Sequence, residues 1–153
     1  MGQQQLLFLV LGIIIVGLAV IMGITMFGIN QSRGNADNMV AEALRIASDV
    51  QAWAIKPQML GGMTRSETFS AVSFDKIGYP TSGGTYSTPN GDYILSTSLG
   101  SNCETPSIPS GKTALVYINA SNAGTGSFVC IAVAGTAASD IGTDANYGSG
   151  ITS

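Results

Sequence analysis

Cys103 and Cys130 are the side chains best suited to covalent chemistry in this 153-residue chain. They lack CxxC spacing, and two thiols are too few for a structural zinc site. A disulfide between them is expected if this part of the chain lies outside the cytoplasm. Its loop closure would stabilise the fold by about 3.6 kcal/mol. The alternative is a pair of separate buried thiols.

The residue types on which most enzymes rely are missing or scattered. The chain has no histidine, which removes the commonest general base and the commonest transition-metal ligand. It has no glycine-rich phosphate loop with a lysine, no nucleophile elbow and no CxxCH haem motif. We therefore expect neither an enzyme nor a cofactor.

Two further patterns involve ligands or modification. Asp140 and Asp144 lie in a glycine-rich tail and offer the oxygen ligands that calcium prefers, but EF-hand spacing is absent and a solvated loop is favoured. N-x-S/T triplets begin at Asn30 and Asn119 and are candidate glycosylation sites. O-linked sugars on the Ser/Thr-rich loops are an equal alternative.

The composition indicates a neutral, polar, turn-rich surface. Only 10% of the residues are charged while 45% are hydrophobic, and there are 20 glycines. The net charge of −3 and six scattered cations give no basic stripe, so nucleic-acid binding is not expected.

A long apolar run precedes all of these residues. From Leu6 to Ile29 the chain carries no charge, and Thr25 is the one clearly polar residue. A helix of this length reaches about 36 Å and satisfies its own backbone, so it can cross a bilayer. A secretory signal peptide fits poorly, because a basic n-region and a small-residue cleavage site are absent. A plain membrane anchor is the stronger alternative.

The helical pattern continues beyond the apolar run. Pro57 and its restriction on Lys56 predict where the helix ends. We therefore expect one helix of more than fifty residues, apolar over residues 1–29 and amphipathic over residues 30–56. Hydrophobic residues of the second part recur three and four positions apart on one face: Ala36, Met39, Ala43, Ile46, Val50 and Trp53.

The remainder predicts a small sheet. Turn signals fill residues 57–91, which we expect to be a connector loop region lying over the helix. Strand patterns cover 92–98, 113–119 and 127–134, and the tail from Gly135 predicts loop. Residues 92–153 should thus form an antiparallel sheet of about three to four strands with a cysteine-bounded loop. The fold class is α+β, with the long helix packed on the sheet.

This order of elements resembles the type IV pilins and the pseudopilins of type II secretion, most sharply over residues 1–57. Two family positions differ. Gln5 stands where the family has a glutamate, if the mature chain begins at Met1, and Met22 stands where the family has a helix-breaking proline. A buried carboxylate is costly unless it is paired, whereas the Gln5 amide is neutral and still forms hydrogen bonds.

The resemblance implies a major subunit of a type IV pilus-like extracellular filament for adhesion, motility or surface attachment. The inner membrane would hold the precursor until prepilin peptidase and the pilus assembly machinery act, and the copies would polymerise into a helical homo-oligomer. The assembly residues it implies are Met1, Gln5, Leu6, Phe8, Gly12, Gly17 and Gly23. The alternatives are a pseudopilin of a type II secretion system and a monomeric membrane-anchored extracytoplasmic binding domain.

Two cleavage registers stay open. In the first, a basic leader has been removed and Met1 is the mature, methylated N-terminus. In the second, prepilin peptidase cuts between Gly2 and Gln3, following the family's glycine before the cleavage site. The first is favoured, because the second leaves a leader without a basic residue.

Overall fold

One helix runs through more than a third of the chain. In the computed structural model, which describes residues 2–146, helix α1 spans Gly2–Ile55 without a break. At about 1.5 Å per residue its 54 residues extend about 81 Å. The helix ends two residues before Pro57. All six positions of the predicted hydrophobic face are buried: Ala36, Met39, Ala43, Ile46, Val50 and Trp53.

Five antiparallel strands form the sheet against which the second half of α1 packs. They follow one another in the order β1-β2-β3-β4-β5, so each strand pairs with its sequence neighbour. The α+β class and the helix-on-sheet arrangement are confirmed, with five strands instead of three to four. The strands are β1 Thr85–Thr88, β2 Gly91–Ser96, β3 Val116–Asn122, β4 Ser127–Val133 and β5 Ile141–Asn146.

The two strands that the sequence did not predict are the edges of the sheet. Strand β1 lies within the predicted connector, and β5 lies in the tail that was predicted to be loop. Each pairs on one side only, and each consists mainly of polar or small residues. Their formation depends on the neighbouring strand and not on an intrinsic strand pattern.

Strand β3 begins three residues later than predicted, at Val116, opposite the end of β4 at Val133.

The core lies between α1 and the inner face of the sheet. Tyr93 of β2 is fully buried there, beside hydrophobic residues of β3 and β4. Short helical turns at Gln58–Leu60, Phe69–Ala71 and Ala138–Asp140, and the short helix α2 at Phe74–Ile77, complete the connections. The inner faces of β3 and β4 contribute Val116, Ile118, Ala120, Val129, Ile131 and Val133 to the core.

A disulfide holds the long β2–β3 connection against the outer face of the sheet. Cys103 in this connection is bonded to Cys130 of β4, with Cα atoms 6.0 Å apart. The predicted disulfide is therefore confirmed. Because Cys130 is completely buried, residues 97–115 cover part of the sheet that faces away from α1.

Candidate functional site

The N-terminal half of helix α1 is the largest exposed apolar surface on the described chain. Every large hydrophobic side chain from Leu6 to Phe27 is exposed, and Phe27 reaches 81%. The first fully buried residue of the helix is Ala36. The helix contains a stretch of 18 residues that is apolar enough to cross a membrane, and no residue of that stretch is buried. We call residues 2–29 the apolar half of α1.

The apolar half is hydrophobic on all sides. Its one hydroxyl group, on Thr25, is satisfied within the helix, donating to the carbonyl oxygens of Ile21 and Met22 at 3.1 and 2.9 Å. No polar side chain between Leu6 and Ile29 therefore requires water. A helix that is apolar all round is stable only inside a lipid or protein environment.

Four glycines of the apolar half have no packing reason within the chain. A Cβ atom built on Gly12, Gly17, Gly23 or Gly28 would meet nothing within 4 Å. Each glycine lowers helix stability by about 1 kcal/mol relative to alanine. Gly12 and Gly23 are eleven residues apart, about three turns, and so share one face, whereas Gly17 and Gly28 share another. Small residues of this kind permit close approach of a second helix.

The predicted assembly residues all lie on this surface, apart from Met1, which is outside the described residues. Gln5, Leu6, Phe8, Gly12, Gly17 and Gly23 are all exposed. Within residues 2–146 the Gln5 side chain has no hydrogen-bond partner, so its amide is free to pair with a group outside this chain. Its assembly role stays a prediction.

The second half of α1 is fixed to the sheet by a half-buried polar cluster as well as by the core. The Glu42 carboxylate accepts hydrogen bonds from Tyr93 at 2.9 Å, from Thr88 at 3.1 Å and from Tyr86 at 3.4 Å. Its partners come from β1 and β2. Hydrogen bonds to a charged group are stronger than those between neutral groups. Glu42 therefore fixes the helix in register with this edge of the sheet.

Two further polar residues of the same half of the helix, Gln51 and Asp49, form hydrogen bonds with neighbouring segments. Gln51 donates to the carbonyl oxygens of Gly135 and Ala137 at 2.7 and 2.8 Å. The Tyr79 hydroxyl group donates to Asp49 at 2.6 Å. These contacts hold the chain before β5 and the chain after α2 against the second half of α1.

Burial and hydrogen bonding to carboxylates raise the pKa values of three tyrosines in this region. Burial, with the hydrogen bond to Asp49, raises the pKa of Tyr79 to about 12. Burial, with the bond to Glu42, raises the pKa of Tyr93 well above its usual value, and burial beside Glu42 also raises the pKa of Tyr86. All three phenols favour the neutral, hydrogen-bond-donating form.

The predicted acidic tail is ordered and paired. Asp140 is buried and bonded to Lys112, which lowers its pKa, and it also accepts from the backbone of Ala137. Asp144 accepts from the backbone of Glu104 at 2.9 Å. The expectation of a solvated loop here is wrong, because strand β5 begins at Ile141. Across residues 2–146 no group of three or more metal-ligating side chains occurs.

The candidate glycosylation sites differ in access. Asn30 is exposed on α1. Asn119 lies in β3, where its amide donates to the Ser98 carbonyl at 3.2 Å and its oxygen accepts from the Gly100 backbone at 3.1 Å. An N-linked glycan would replace one of the two N–H groups of the Asn119 amide, which here donates to Ser98. Glycosylation at either position stays a prediction.

Comparison with protein-family models, with curated proteins and with solved structures finds no match for this chain. The arguments about its function therefore rest on its own residues and geometry. Sequence patterns missed Glu42, Gln51 and Lys112 as fixing residues, since each is paired with a residue that is distant in sequence. For Glu42 and Gln51 the available signal was a polar residue beside the buried face of an amphipathic helix, whereas Lys112 lies in the β2–β3 connection and had no such signal.

Proposed function

We propose that this chain is the structural subunit of a type IV pilus-like extracellular filament, polymerising through helix α1. The observation that carries the proposal is that one continuous helix has two halves with different surroundings. Its second half is built into the core of the head, residues 30–146, whereas its first half is apolar on every side and exposed. A surface of this kind must be covered, by lipid first and then by copies of itself.

The chemistry of the apolar half supports exchange between these two environments. It carries no charge, and its single hydroxyl is satisfied internally. Transfer from lipid to a bundle of identical helices therefore requires no ion to be desolvated. Gln5, in place of an acidic residue, supports assembly through neutral hydrogen bonds near the helix start.

The glycine positions support packing against more than one neighbour. Gly12 and Gly23 form a small-residue notch on one side of the helix, and Gly17 and Gly28 form a second notch on another side. A helix that only crosses lipid gains nothing from either notch. A helix in the middle of a bundle gains close contacts on both sides.

Shearing and fractionation of cells that produce the full chain tests the proposal. The expected result is chain in the sheared extracellular fraction as long filaments visible by electron microscopy, with Cys103 and Cys130 oxidised. Intact-mass and N-terminal peptide analysis of that fraction also distinguishes the two cleavage registers. Short periplasmic assemblies instead would favour a pseudopilin, and chain confined to the membrane fraction as a monomer would favour an anchored binding domain.

A further inference from the structure

A groove on the outer face of the sheet takes no part in the assembly surface. It lies where the start of the β2–β3 connection crosses strands β2, β3 and β4, and it encloses about 320 Å³. This volume falls within the range of small-ligand sites. The outer face points away from α1, so the groove does not depend on the proposed assembly.

The floor of the groove combines an aromatic ring and an aliphatic side chain with polar side chains. Ile94 of β2 is 46% exposed, and Phe128 of β4 is half-buried. Ser121 of β3 lies opposite Phe128 in the strand register, and Asn119 lies opposite Ile94. Three adjacent strands thus present one ring, one aliphatic side chain and a hydroxyl group on a common surface.

The rim of the groove carries polar groups that are unpaired within the described chain. Ser101 and Asn102, on the loop above the floor, are exposed, and across residues 2–146 their side chains and that of Ser121 form no hydrogen bond. Asn119 fixes this loop by its two bonds to Ser98 and Gly100, and the disulfide at Cys103 fixes it a second time. A rim held in this way is preorganised for a ligand.

The lining excludes several classes of ligand. None of the residues lining the groove is charged, so an ionic ligand finds no counter-charge there. Strands β2, β3 and β4 are interior strands, so a peptide cannot add to the sheet as a further strand at this position. A purely apolar ligand would strip water from the hydroxyl and amide groups of the rim without replacing their hydrogen bonds.

We propose that this groove binds a neutral saccharide. The C–H face of a sugar ring is weakly positive and packs on the negative face of the Phe128 ring, beside Ile94. The sugar hydroxyl groups exchange hydrogen bonds with Ser101, Asn102 and Ser121, each of which both donates and accepts. A saccharide thus matches the groove, because each combines an apolar surface with polar groups that form hydrogen bonds.

The test is NMR titration of the full chain in micelles of a zwitterionic detergent without a sugar headgroup. The probes are methyl β-D-glucoside, methyl β-D-galactoside, N-acetylglucosamine and N-acetylgalactosamine, with tri-alanine as a neutral peptide. The expected result is saturation transfer to at least one sugar, with amide shifts at Ser101, Asn102 and Ser121. The dissociation constant should be millimolar, as is usual for a small polar ligand with few contacts.

Two groove variants and one control variant complete this test. Phe128→Leu retains the apolar volume without the ring and should weaken sugar binding about fivefold, and Ser121→Ala should weaken it by a similar factor. Thr143→Ala, exposed on β5 outside the groove, should bind as the parent chain does. Ser121→Ala is a small change at a half-buried site, so it retains the test if Phe128→Leu fails to fold. Binding of no sugar, binding of tri-alanine alone, or sugar binding unaffected by both groove variants would overturn the proposal.

Discussion

The hydroxyl group of Tyr93 donates a 2.9 Å hydrogen bond to the Glu42 carboxylate, joining strand β2 to helix α1. Tyr93 is fully buried, so this bond is shielded from water on the tyrosine side. Because the same helix continues into the apolar half, the bond helps to fix the helix that carries the apolar half to the sheet.

Removal of either partner should destabilise the head. Tyr93→Phe loses a hydrogen bond to a charged group and should lower the free energy of unfolding by about 1.5–3 kcal/mol. Glu42→Ala should cost at least as much, since it leaves a buried hydroxyl unpaired. Denaturant unfolding of the full chain in micelles, followed by the fluorescence of the buried Trp53, measures both. Asp37→Ala, exposed on the same helix, is the control and should change stability by less than about 0.5 kcal/mol.

Tyr79 should make the stability of the head depend on alkaline pH. Its pKa is about 12 in the folded chain and about 10 in the unfolded chain, so between these values the folded state binds more protons. Its stabilising contribution is complete below pH about 10 and is lost as the pH rises towards about 12. Tyr79→Phe should reduce the slope of unfolding free energy over this window. Thr143→Ala, an exposed change on β5 that removes no titratable group, is the control and should keep the parent slope.

The disulfide should stabilise the head and order the loop above the groove. Replacing both cysteines, Cys103→Ser with Cys130→Ala, should lower the free energy of unfolding by about 3–4 kcal/mol. Hydrogen exchange should become faster at residues 98–104, while the helical amides around Ile46 change in step with global stability only. Equal protection of residues 98–104 in the oxidised and the cysteine-free chain would contradict this assignment.

The helix and its core face could be predicted because they are determined locally. A 3.6-residue hydrophobic period identified Ala36 through Trp53, and the absence of charge before residue 33 identified the apolar half. The interior strands β2, β3 and β4 were predicted for a related reason, since each contains a local run or alternation of hydrophobic residues.

The edge strands and the polar cluster depend on partners far away in the chain. Strand β1 has the polar sequence Thr85–Thr88 and forms only because β2 supplies a hydrogen-bonding edge. Glu42 is an ordinary helical carboxylate until folding brings Tyr93 to it from 51 residues away. Gln51 and Lys112 follow the same rule. Local periodicity carries no information about such long-range contacts.

The glycine notches should matter for assembly and not for membrane insertion. Gly12→Leu makes the helix more apolar and a better helix former, so the chain should still fractionate with the membrane. It fills the notch shared with Gly23 and should reduce the yield of sheared filaments about tenfold or more by preventing close helix approach. Ile13→Leu, a volume-conserving exchange at the next position, is the control. Parent-level filament yield from Gly12→Leu would show that this notch is not a helix contact.

A cryo-electron microscopy map of the sheared material tests the central claim most directly. We expect a helical assembly whose core is a bundle of α1 helices, with residues 6–27 in contact with neighbouring copies and the sheets on the outside. Density for helices that approach one another most closely at Gly12, Gly17, Gly23 and Gly28 would support the glycine assignment in the same experiment. A filament held together by its heads, with residues 6–27 uncovered or absent, would contradict the account.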